Sequence, residues 1–113
     1  MAVFLGAFPV LEGKDGEARK LAQETRDRRD EFEASQQRHG VTKEEWSLQQ
    51  TPMGSLVVVR FECDDIEKSF GRLAESTDAF DVWFRDRVSE VSGVDLAQPS
   101  DAPPPEIILE WTA

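Results

Sequence analysis

Glu45-Trp46-Ser47-Leu48-Gln49-Gln50-Thr51-Pro52-Met53-Gly54-Ser55-Leu56-Val57-Val58-Val59-Arg60-Phe61 decides the fold. From Glu45 to Thr51 apolar and polar residues alternate around Trp46 and Leu48, the pattern of a half-buried edge strand. Pro52-Met53-Gly54 supplies a hairpin turn, and Leu56 to Phe61 is β-branched and nearly continuous, as a central strand is. A hairpin therefore sits at the middle of the chain, and a similar unit flanks it on each side. Residues 2–10 form an apolar run closed by Pro9 and the Gly13/Gly16 loop, which reads as a first strand buried on both faces. Lys14 to Arg38 has no proline, no glycine after Gly16, and is dense in Glu, Arg, Gln and Ala, which predicts a long helix.

Beyond the hairpin, Asp64 or Asp65 starts a helix in which Ile66, Phe70 and Leu73 keep helical spacing. The phase breaks around Ser76-Thr77-Asp78. A second stripe follows at Phe80, Trp83, Phe84, Val88 and Val91, so two helical pieces are expected, with Asp78 capping the second and Gly93 closing it. Gln98 to Pro105 is proline-rich and reads as an extended connection. Ile107 to Trp111 is expected to be the last strand. The order β-α-β-β-α-β fills residues 1–113 as one domain. It predicts an α+β, ferredoxin-like sandwich: an antiparallel four-stranded sheet in order 4-1-3-2 with helices on one face. The bare face then needs cover, and a homodimer through the sheet face is the simplest way to supply it.

Composition narrows the partners. The 23 acidic residues outnumber 13 basic ones, for a net charge of −10, so phosphate backbones and anionic lipid are repelled and neither nucleic acid nor membrane is expected as a partner. The only basic cluster, Arg26, Arg28 and Arg29, is interrupted by Asp27 and Asp30. Cys63 is the single cysteine, which excludes an intrachain disulfide and suggests a reducing, cytoplasmic setting. One histidine and one cysteine cannot build a zinc cluster, the carboxylates lack calcium-loop spacing, and no phosphate-loop, dinucleotide or nucleophile-elbow motif is present. No cofactor is called for.

The segment pattern resembles the dimeric α+β barrel superfamily, which includes cofactor-independent monooxygenases, small isomerases and haem-degrading enzymes. More narrowly, Phe8-Pro9-Val10 with Gly13-Lys14, Arg29-Asp30-Glu31-Phe32-Glu33-Ala34-Ser35, Leu48-Gln49-Gln50-Thr51-Pro52-Met53-Gly54 and Phe80-Asp81-Val82-Trp83-Phe84 resemble a group of uncharacterised small bacterial proteins of that superfamily. The resemblance covers nearly the whole chain. It implies a dimer and a cleft between helices and sheet that holds a small molecule; an enzyme of this kind would be monooxygenase- or isomerase-like.

Candidate residues follow from helical spacing. Leu21, Thr25, Arg28, Phe32, Ser35 and His39 are separated by alternating steps of four and three, so they share one face, which Leu21 and Phe32 mark as the sheet-facing one. His39, the only histidine, is a candidate general base in the cleft, or a cation offsetting the dipole at a helix end. Arg28 either anchors an anionic or enolate oxygen or lays its stem along the sheet with its head in water; Arg29 competes with it for the inner side. Trp46 and Trp83, with Phe32, are suited to the wall of a pocket for an apolar or aromatic molecule, or else to the core. Arg60 interrupts a central strand. It is a ligand-binding candidate, though alternation puts it on the face away from Val57, Val59 and Phe61, where it would pair with Glu45, Glu110 or a partner chain's carboxylate. Two functions stay open: a small-molecule binding domain or cofactor-independent enzyme with His39 and Arg28 at its site, and a non-catalytic dimeric interaction or regulatory module.

Overall fold

The computed structural model describes residues 1–99 and 103–113. Among these residues seven elements follow one another: β1 (Ala2–Val10), α1 (Asp15–Asp27), α2 (Arg29–His39), β2 (Val41–Thr51), β3 (Gly54–Cys63), α3 (Ile66–Glu75) and α4 (Ala79–Ser92). The fold is α+β, with a three-stranded antiparallel sheet in order β1-β3-β2. No helix among the described residues is long and apolar enough to cross a membrane.

Register explains the division of faces. Phe4 pairs with Phe61, Gly6 with Val59 and Phe8 with Val57, while across β3 Trp46 pairs with Val59 and Leu48 with Val57. Because side chains alternate along each strand, all of these share the face beneath the helices. Val3, Leu5, Leu56, Val58 and Arg60 take the opposite face, as the alternation around Arg60 predicts. Gly6 has a specific reason to be glycine: a Cβ there would collide with the ring of Phe4, which lies across it and stacks on Phe61.

Two departures from expectation concern the helices and the last strand. The helix expected over residues 14–38 is broken at Arg28, whose φ of −101° and ψ of 41° leave the helical region, so α1 and α2 are separate pieces. The break carries neither glycine nor proline, which is why composition gives no warning of it. The second correction concerns Ile107–Trp111, expected as a fourth strand. These residues pair with no strand and are exposed, Ile108 at 90 % and Trp111 at 81 %. The extended connection expected over 98–105 lies partly outside the described residues.

The helix-end signals of α3 and α4 hold. Asp65 caps α3 by accepting from the Lys68 N–H, and Asp78 caps α4 by accepting from the Phe80 N–H. Gly93 closes α4 in the left-handed conformation. Arg85 donates to the backbone carbonyls of Leu73 and Ser76, satisfying groups that the end of α3 leaves free. Val10, Ala18, Leu21 and Val91 form the tightest part of the core, where α1 and α4 meet the end of β1.

Candidate functional site

The helices do not close down on the whole inner face of the sheet. Between them lies a cleft of about 410 Å³ with a mainly apolar wall, within the ~300–1,000 Å³ typical of small-molecule pockets. Trp46, Leu48, Val57 and Val59 form its floor, and Phe32, Phe80 and Phe84 its roof. Aromatic contacts hold this wall in place: Phe32 meets Trp46 edge-on at 6.4 Å between centroids, and Trp46 meets Phe84 at 5.8 Å. Arg19 and Arg26 also line the cleft and are exposed, so they stand at its opening.

One side of the cleft is polar. Glu44 on β2 accepts hydrogen bonds from the Gln36 amide at 3.0 Å and from the Trp46 indole N–H. Burial pushes its carboxyl above the ordinary 4.5, and those two hydrogen bonds offset only part of the rise. Alternation with Trp46 and Leu48 places it there, and a β-bulge precedes it at the start of β2. Two residues of β2 oppose one of β3 between Val41 and Lys43, so Val41 and Glu44, an odd number of positions apart, both reach the cleft.

His39 is also in the lining and is only 5 % exposed. Its Nδ1 is 3.3 Å from the Ser35 hydroxyl and its Nε2 is 3.5 Å from Asp81 Oδ2. Burial holds the imidazole below 6.5; the Asp81 carboxylate opposes this, and Arg38 and Arg72 reinforce it. Asp81, fully buried, accepts from Ser35, Ser76 and Arg38. Burial works to raise its carboxyl, but those hydrogen bonds outweigh it and the group stays below 3.8. The ring of groups joins α2, α4 and the segment between α3 and α4 behind the polar side of the cleft.

Of the residues singled out in the sequence, the structure brings His39, Phe32 and Trp46 together around the cleft. Arg28 stands outside it. Its guanidinium binds Glu31 through two hydrogen bonds and lies over the rings of Trp83, at 4.3 Å, and Phe80, at 5.1 Å. Trp83 is taken up by that stack, and its neighbour Phe84 faces the cleft, as adjacent helical positions require. Arg60 lies on the outer face, bonded to Glu62 and 4.0 Å from Glu45, so the ion-pair reading describes it and the ligand-binding one does not. Cys63 is buried. Glu44 is the residue that sequence reasoning missed. It shares parity with Trp46 and Leu48, but lies one position before the expected start of the strand.

Among the described residues, no three His, Cys, Asp or Glu side chains converge as a metal-binding group. Comparison with protein-family models, curated proteins and solved structures gave no match.

Proposed function

We propose that the protein binds a small, flat, largely apolar or aromatic molecule in the cleft between helices and sheet, with one hydrogen-bonding oxygen of the ligand directed at Glu44 and Gln36. The cleft itself carries this reading: an aromatic wall around about 410 Å³ with a single polar side. The Glu44 carboxyl meets a ligand hydroxyl, and the Gln36 amide adds a second contact; both groups suit an uncharged ligand end. Binding is better supported than turnover. Both ring nitrogens of His39 face protein groups, which argues against it as a free general base, whereas Glu44 has the raised carboxyl that acid chemistry would use.

In this reading the chain is a ferredoxin-like relative of the dimeric α+β barrels; the β-α-β-β-α order and the placement of the helices on one sheet face support it. A second reading, a non-catalytic dimeric interaction module, draws support from Val3 and Leu5, which are exposed on the outer sheet face. The two readings are compatible.

Titration of the full chain with 2-naphthol, a neutral aromatic alcohol, tests the first reading through the Trp46 indole N–H resonance. A saturable shift, abolished by Leu48→Trp in a protein of unchanged circular dichroism, is expected because the indole would fill the floor. A resonance that does not move, or that shifts equally in Leu48→Trp, overturns it.

A further inference from the structure

The C-terminal segment has the composition of a strand and no sheet in its own chain. Ile107-Ile108-Leu109-Glu110-Trp111 exposes four large apolar side chains within five residues. Single exposed apolar residues need no explanation, but a contiguous run of them marks an interaction surface. Pro103-Pro104-Pro105, separated from it by Glu106, forms a stiff spacer of about 9 Å at ~3.1 Å per residue, which resists folding the segment straight back.

The body of the same chain has the complementary defect. Among the described residues β1 is at an edge of the sheet, paired only with β3. Edge strands are normally protected by charged side chains, bulges or a covering element. Ala2–Val10 contains no charged residue and pairs with β3 without a register shift. Pro9, near its end, is its one residue unable to donate. Nine residues of strand extend for about 30 Å, against about 17 Å for the five residues 107–111, so the edge is long enough to hold the segment.

We propose that Ile107–Trp111 of each chain adds as a fourth strand to β1 of a second copy, in a two-fold exchange. A second copy is the occupant that leaves nothing over: each chain supplies one arm and one open edge, and the symmetric exchange satisfies both pairs at once. A foreign partner would satisfy the arm or the edge and leave the other bare. The exchange also supplies, between chains, the order 4-1-3-2 that the segment pattern predicts within one. The arm carries Glu110 and no basic residue, and β1 carries no acidic residue to repel it. The inference is independent of what the cleft binds.

Native mass spectrometry and amide hydrogen exchange on the full chain, compared with a chain ending at Pro99, test it. The full chain is expected to be a dimer with protected β1 amides; the shortened chain, a monomer in which that protection is lost. The paired substitution Leu109→Asp with Trp111→Asp keeps the length and should give the same loss if truncation impairs folding. A monomeric full chain overturns the exchange, including the case in which β1 is protected by its own arm. So does a dimer that survives both truncation and substitution, since its interface would then lie elsewhere.

Discussion

Ser35 on α2 donates to Asp81 on α4 at 2.5 Å, joining two helices across 46 positions of sequence. Ser76 and Arg38 donate to the other carboxylate oxygen, Arg38 at 3.0 Å, and His39 faces the same atom. A fully buried carboxylate is costly to desolvate, and these donors are what offset that cost. Asp81→Asn keeps the shape but replaces one acceptor oxygen by a donor, facing groups that themselves donate. The expected loss is about 3 kcal/mol of unfolding free energy, read by chemical denaturation. A loss within ~0.5 kcal/mol would mean that surface-like solvation, not the network, holds this carboxylate.

The neutral His39 gives stability a pH dependence whose sign is fixed. Its pKa in the folded state lies below 6.5, so the unfolded chain takes up a proton first as pH falls. The contribution is complete above about 6.5 and is lost as pH falls through that value toward the folded one. Glu44 acts in the opposite sense: its raised carboxyl contributes most below 4.5, and that contribution is lost as pH rises through the folded value. Comparison with His39→Gln isolates the histidine. Between about pH 7 and about pH 5, the parent's thermal midpoint should fall more than the variant's. Parallel curves would show that His39 titrates alike in both states.

Arg28 should matter for stability and not for binding. It lies over Trp83 and Phe80 at the junction of α1 and α2, away from the cleft. Its side chain keeps some solvent access, so Arg28→Ala is expected to cost about 1 kcal/mol, the scale of a partly exposed cation–π contact. The affinity for 2-naphthol should be unchanged. Weakened binding at full stability would return Arg28 to the site, where its helical spacing alone would place it.

Much of the fold is legible because its signals are local. The alternation around Trp46 and Leu48, the turn at Pro52-Met53-Gly54, and the caps Asp65, Asp78 and Gly93 act within a few residues, and each is found where the pattern puts it. The break at Arg28 is not legible, because good helix formers continue on both sides of it. Trp46 and Phe32 could be assigned to the cleft from periodicity; Glu44 has the parity of Trp46 but precedes the expected strand start, and Val41 reaches the cleft through a bulge that only pairing with β3 creates. The Asp81 network draws on Ser35, Arg38 and Ser76 from separate segments, and single-helix spacing cannot assemble it. Ile107–Trp111 shows the same limit: strand composition is a local property, but the edge it would join is not.

Gly40 offers the sharpest test of close packing at the polar side of the cleft. It ends α2 at φ 71° and ψ 22°, its N–H bonded to the carbonyls of Gln36 and Gln37. Any Cβ in this left-handed conformation costs about 1 kcal/mol or more. At Gly40 a Cβ would also run into the Asp64 carboxylate, beside the Arg72 guanidinium. Asp64 cannot retreat freely, because its Oδ1 accepts from the Asp65 N–H where α3 begins. Gly13 provides the control: its φ is 78°, with open space around the position of a Cβ. Gly13→Ala should therefore lose about 1 kcal/mol from backbone strain alone, and Gly40→Ala at least ~1 kcal/mol more from the collision. Denaturant midpoints measured side by side separate the two terms. Equal losses would show that the turn into α3 yields to the added methyl, and that the junction of α2 and α3 is softer than its hydrogen bonds imply.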